Sequence, residues 1–522
     1  MPFTGLSGWT TIPERKYSEI ERTGLLSKSP RRLLSGDKLC KRMNRKLRTI
    51  IITGFIIEIL CIAIAYNGDI KKSIPCFAIL YISSFIAYIF AVFYISKDEE
   101  IIEQDNSSST KVLWAIIIFS LIFRLTLLPM TPSDDIYRYL WEGKLQLNGI
   151  SPYSHPPESS SLEHLRDGFF SGINHKHLPT IYPPLTLMVF TIADYISHTI
   201  ISMKSVFLIF DVLSIFILLR FLRVMGKNIH NVLTYAWSPL ILISFAARGH
   251  CDSLQIFLVL LALYLYAMRK NMRTVVSIAL AVMSKFIFII IVPFLISGKK
   301  FNYVVVLFAV IAVLYLPYMS AGKGLFSTLF HFGSHYHFND SAHFLIFCLC
   351  MGSPLASEIV TALIFGSVLL FLYKKYLNVF ITDDNGNPTL LSSSKKEGEK
   401  RGNRELNNFV LNYAFVAIGT FLILAPTLHP WYLTWIIPFL CFNNNRAWLV
   451  LTGTVICYYF MNHELFSQMI WYNDEWVWKE VHWLKLPEYL PFYGLLIYGG
   501  LVKKSITLRA LWLNRNLIGG RS

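Results

Sequence analysis

Two adjacent carboxylates, Asp134 and Asp135, follow closely on an apolar run that ends at Met130, and they open the aromatic segment DIYRYLWEGKLQLNGISPY. A carboxylate held within hydrogen-bond reach of a hydroxyl can act as a general base, worth roughly 10²- to 10⁴-fold in rate. Tyr137, Arg138, Trp141 and Glu142 follow at once, a set of rings and charges that suits a sugar-binding surface. Three further clusters combine cations with rings. They are Arg248, His250 and Asp252 in ARGHCDS; His331, His335, His337, Asp340 and His343 in HFGSHYHFNDSAHF; and His429, Trp431 and Tyr432 in TLHPWY. Cationic donors of this kind can hold a phosphate. Lys285 stands inside an apolar run, where it is either a residue reaching for the interface or a phosphate partner.

Each cluster also has a plainer explanation. Asp134 and Asp135, after Pro132 and Ser133, suit the start of a helix, where an acidic cap stabilises by about 1 kcal/mol. Arg248 and Asp252 are spaced as a helical ion pair. The Trp and Tyr residues of HPWYLTW and of the 471–483 loop fit an interfacial aromatic belt. In the His-rich stretch only His331 and His335 have the spacing of a zinc hydrolase, and no acid lies between them. No metal and no cofactor are therefore expected, and His donation to a phosphate is the preferred role. The eight cysteines are scattered without a CxxC pair, which argues for neither zinc nor a disulfide framework.

The elements that must position these groups belong to a membrane protein. The chain has 522 residues, 54% of them apolar and only 15% charged, against about a quarter charged in soluble domains. Apolar runs long enough to cross about 30 Å of hydrocarbon recur from Leu47 to Leu501. The net charge of +16 sits mostly in the tails and in certain loops, which speaks for topology and not for nucleic acid. From Pro13 to Arg48, twelve Lys and Arg face four acids, a bias that holds the N-terminus in the cytoplasm.

Counting from that end gives an all-α polytopic protein of about twelve spans within 47–502. The 183–200 stretch is expected along the external surface or re-entrant, and 274–297 as a hairpin of two half-helices. The basic tails 1–46 and 503–522 and the flexible loop 374–407 are then cytoplasmic. The loop 131–182 with its interfacial helices, the His-rich loop 319–353 and the Trp-rich loop 462–487 are external. Every unusual polar cluster falls on that one face. An ionisable group at membrane depth is costly and suggests function by default.

SDDIYRYLWEGKLQLNGISPY, LRDGFFSGINHKHLPTIYPPL, ARGHCDS, SKFIFIIIVP and TLHPWYLTWIIP, in this order, resemble integral-membrane glycosyltransferases of the GT-C superfamily. The likeness covers roughly residues 110 to 445 and is greatest to enzymes that use polyprenyl-phosphate mannose. It implies a mannosyltransferase of the cell membrane with its active site outside. The essential acid of the first external loop, the one directly before IY, maps onto Asp135, with Asp134 as the alternative carboxylate of the pair. That acid acts as general base, and transfer inverts the anomeric centre.

Arg248, His250, Lys285, His335, His337 and His429 are the candidates for the donor phosphate. Tyr137, Arg138, Trp141, Glu142, Asp252, Tyr182, Trp431 and Tyr432 are the candidates for the substrates. The partners implied are a polyprenyl-phosphate sugar, a glycan or glycolipid acceptor and the bilayer. Two other classes remain open: a transporter or flippase, for which no internal repeat is seen, and a polymerase or ligase using a diphosphate-linked donor, for which external Arg would be expected.

Overall fold

The computed structural model describes residues 36–96, 107–296, 301–335, 337–382, 388–390, 398–461, 468–472 and 475–501. Residues 1–35 of the expected N-terminal tail, the C-terminal tail and part of the charged loop lie outside the described residues. Among the described residues the fold is helical apart from two small antiparallel hairpins, Phe380–Thr382 with Pro388–Leu390 and Met469–Tyr472 with Glu475–Trp478. The protein is an all-α polytopic membrane protein.

Among the described residues, seven helices are long and apolar enough to span a bilayer: Arg42–Asn67, Ile74–Ser96, Ser109–Leu127, Ile200–Val224, Phe301–Ala321, Pro354–Asn378 and Arg404–Leu424. Much of their apolar surface faces outward, as with Ile52, Ile86 and Leu363, because lipid is as good a solvent for it as the core. The first helix starts at Gly36, inside the stretch expected to be a loose tail, since its Lys and Arg are good helix formers.

The other expected crossings are broken or short. Ile229–Ala236 and Pro239–Ala247 form one bent pair, kinked by 49° where Ser238-Pro239 cannot continue the helix. Asp252–Ala267 has 16 residues and Asn271–Ser284 has 14. Where a hairpin was expected at 274–297, the chain breaks at Lys285, which is extended, and resumes as Phe286–Ile291 and Val292–Ile296. The 428–442 and 447–461 stretches are carried by short helical pieces, Pro430–Trp435, Ile437–Leu440, Arg446–Thr454 and Cys457–Phe460. The apolar helix Pro184–Ile196 has only 13 residues, about 20 Å at 1.5 Å per residue, too little to cross. Polar residues gather at these breaks.

A buried ion pair locks the frame. Arg124 grips Asp211 through two bonds of 2.7 and 3.1 Å and donates to the carbonyls of Ser120 and Ala236, and Tyr235 donates to the same carboxylate. This joins Ser109–Leu127, Ile200–Val224 and the bent pair. Every guanidinium bond goes to an acceptor, the condition on which a buried charge is tolerated.

Candidate active site

Asp135 is the first residue of helix Asp135–Leu147, where the positive end of the helix dipole favours a carboxylate. Buried Lys204 holds the turn before it, donating to the carbonyls of Leu128 and Met130, while Ser133 N–H donates to the carbonyl of Arg248 at 2.9 Å. That second bond brings the turn following the bent pair against Asp135. The last turn of the pair, Leu242–Ala247, is π-helical, a form common at functional sites. Gly249 then adopts φ +77, and a Cβ there would lie 2.7 Å from Ile136 Cδ1 and 2.8 Å from Lys204 Cγ. Only glycine fits both the backbone and the space.

The turn delivers His250 Nδ1 to 3.1 Å from Asp135 Oδ2. Asn174 Nδ2 donates to the other oxygen, Oδ1, at 2.9 Å. His250 stacks on Trp431 with centroids 3.9 Å apart, and His429 stacks on the same indole at 4.4 Å. Two imidazoles both lying nearly parallel to one indole at these distances cannot share a face, so they sandwich it. His429 Nδ1 is 2.8 Å from the Tyr458 hydroxyl. Burial alone would raise the Asp135 pKa, but His250 and Asn174 outweigh it and hold the carboxyl well below the usual range. Burial pushes His429 down to about 3, helped by neighbouring His250, Lys285 and His175 against the pull of Asp135. Ionised Asp135 thus faces a neutral His429.

A second group adjoins this one. Asp252 Oδ1 accepts from Lys285 Nζ at 2.7 Å, from Trp435 Nε1 at 2.7 Å and from Gln255 Nε2 at 2.6 Å. Lys285 Nζ sits 4.5 Å from the Tyr432 ring centre and 4.6 Å from that of Trp435. Because helix Asp252–Ala267 begins only at Asp252, the helical pair that the sequence spacing suggests for Arg248 and Asp252 does not form. The nearby Gly249 turn sends the guanidinium of Arg248 toward the Thr131 carbonyl instead.

The structure therefore brings together Asp135, His250, His429, Trp431, Tyr432, Asp252 and Lys285. Asp134 caps the helix by position, exposed and without a side-chain cap bond. Arg138 and Glu142 are buried in a pair of 2.9 Å. Trp141 packs with Leu145, Leu162 and Ile173, and Tyr137 lies against Phe169. Tyr182 packs edge-on to Tyr139 at 5.3 Å.

His337 belongs to a different cluster. It stacks on His343, whose Nδ1 lies 2.8 Å from Asp340, and Asp340 in turn accepts from Lys485. The side chain of His335 and those of the Trp-rich hairpin lie outside the described residues. Among the described residues no group of three or more His, Cys, Asp or Glu side chains is placed to hold a metal. Asn174 and Tyr458 were not found from sequence; a neutral amide and a tyrosine in an apolar run give no signal until the fold brings them to the site.

Residues 69–298 match the sequence model of a family described as alpha-(1->6)-mannopyranosyltransferase, N-terminal domain. This segment is a mannosyltransferase domain of the GT-C type. The protein is accordingly a membrane glycosyltransferase. No curated protein and no solved structure matches the chain. The mannosyltransferase domain contributes Asp135, Asn174, His250, Asp252 and Lys285, whereas His429, Trp431, Tyr432 and Tyr458 come from beyond it. Residues from both halves of the chain meet at this cluster.

Proposed function

We propose that the protein transfers mannose from a polyprenyl-phosphate donor to a glycan or lipid-linked acceptor, with inversion, at the extracytoplasmic face of the cell membrane. Both termini are then cytoplasmic. The observation that carries this reading is the juxtaposition of the ionised Asp135 with His250, His429 and Lys285, supplied by separate elements at breaks in apolar helices.

Asp135 is the general base. A carboxylate that stays ionised accepts the proton of an acceptor hydroxyl as that oxygen attacks the anomeric carbon, and the bond to the lipid phosphate breaks on the opposite face. The leaving phosphate gains charge as the bond breaks, and Lys285 with the imidazoles of His250 and His429 supplies donors for it. Arg248 lies on the same turn as His250 and adds positive potential. Asp252 orients Lys285, and Tyr432, Trp431 and Trp435 give flat faces for sugar or isoprenoid. A donor whose phosphate rides at the interface with its tail in lipid accounts for polar side chains collected at helix ends, which a soluble nucleotide-sugar would not require.

The test uses the purified full chain in nanodiscs with radiolabelled polyprenyl-phosphate mannose and a panel of glycan acceptors. Transfer of label to one acceptor class, lost in Asp135→Asn, is the expected result. A wild-type protein that transfers glucose or arabinofuranose and not mannose from the matching lipid phosphates would overturn the sugar assignment. Cysteine labelling that put residue 135 on the cytoplasmic side would overturn the topology.

A further inference from the structure

We propose that Asn174 is a positioning residue for the Asp135 carboxylate: its amide fixes Oδ1, and with it the plane of the group, so that Oδ2 is the oxygen offered to the acceptor hydroxyl. This rests on the glycosyl-transfer reading above and adds to it the device that aims the base.

The terminal torsion of an aspartate is broad and two-fold, so a lone carboxylate at a helix start does not choose which oxygen it presents. An ionised carboxylate only accepts, so the Asn174 group facing it is the NH₂. The 2.9 Å bond uses Oδ1, while Oδ2, beside His250, keeps a further lone pair for the incoming proton.

Asn174 is itself held by Arg138, from the same helix as Asp135. Arg138 Nη1 donates to the carbonyls of Asn174 and His175 at 3.2 and 2.9 Å, and Nη2 to those of Leu178 and Pro179 at 2.6 and 2.7 Å. Glu142 balances the buried charge through Nε. The next residue, His175, is bent to φ +42, a conformation that non-glycine residues keep only where surroundings impose it. Helix Asp135–Leu147 thus presents the base from its first residue and grips, from its next turn, the loop that orients it. The charged and titratable groups around Asp135 are His250 and His429 from the facing turns and Glu142 from its own helix. Tyr139, Tyr182, Tyr432 and Cys251 also face it.

Two readouts separate this from a merely structural role. In the transfer assay Asn174→Ala is expected to lower kcat about 10- to 100-fold, the worth of a lost hydrogen bond to a charged group, with little change in KM, and to move the acid limb of the pH profile upward. Asn174→Asp keeps the shape of the side chain but sets a like charge beside the base, and is expected to be worse than alanine. Variants that fold, judged by thermal melting in detergent, yet keep wild-type kcat and pH profile would overturn the proposal.

The second readout needs no activity. Carbodiimide labelling of Asp135, followed by mass spectrometry across pH, should begin at higher pH in Asn174→Ala than in wild type. An unmoved onset would overturn the positioning role even where transfer is seen. A moved onset in a protein that transfers no sugar would uphold the bond and overturn the transfer reading instead.

Discussion

Asp135 Oδ2 lies 3.1 Å from His250 Nδ1, although the imidazole N–H is not aligned for a full hydrogen bond. The contact joins the first residue of one helix to a turn more than a hundred residues later, and it helps keep the carboxyl ionised. Neighbouring Asp134 is exposed and shares none of these partners. Asp135→Asn is therefore expected to lower kcat by 10²-fold or more, in the range for loss of a general base. Asp134→Asn should stay within a few-fold of wild type. Parallel steady-state assays decide it, and an inactive Asp134→Asn beside an active Asp135→Asn would reverse the assignment.

The membrane class of the fold and the position of Asp135 were legible because both rest on local signals, apolar length and an acid at the end of an apolar run. The break inside 230–247 also had a local signal, Ser238-Pro239, which hydropathy alone smooths over. Which of the candidate residues touch one another was not legible. Trp431 reads as an interfacial aromatic, and nothing in its spacing says that His250 and His429 close on its two faces. Arg248 and Asp252 have the spacing of a pair, yet the Gly249 turn separates them and Lys285 takes the carboxylate. Arg138 and Glu142 have the same spacing and do pair, because there the helix is continuous. Spacing implies contact only where the backbone between is regular.

Asp252 is fully engaged at Oδ1, and Lys285 is its cation. Lys285→Met would leave the buried carboxylate uncompensated, which typically costs about 3–5 kcal/mol, so the single variant should be poorly stable as well as inactive. Pairing it with Asp252→Asn removes the orphaned charge. The double variant is expected to recover most of the melting temperature but not transfer, as Lys285 remains absent from the phosphate side. Recovery of both would show that Lys285 serves the fold alone.

Arg138 closes four carbonyls of the 174–179 loop and neutralises Glu142. Its fork spans acceptors that one ammonium cannot reach together. Arg138→Lys should thus resemble Arg138→Ala, each losing activity and exposing the loop to protease. Limited proteolysis mapped by mass spectrometry checks this, and a lysine variant as resistant as wild type would contradict it.

His429 is the group whose titration should register in stability. Burial pushes its pKa to about 3, against about 6.5 in an unfolded chain. Between those values the unfolded state binds the extra proton, so stability falls as pH drops through that window and is unaffected above it. Asn in its place does not titrate and keeps a hydrogen-bonding atom near Nδ1 for Tyr458. Melting of the full chain in detergent should accordingly fall less from pH 7 to pH 4.5 in His429→Asn than in wild type, with the two curves parallel above pH 7. Equal acid slopes would mean that His429 takes up its proton in the folded protein as readily as in the unfolded one. It would then carry charge beside Asp135 at mildly acid pH, and the donor phosphate would meet a cation there in place of a neutral ring.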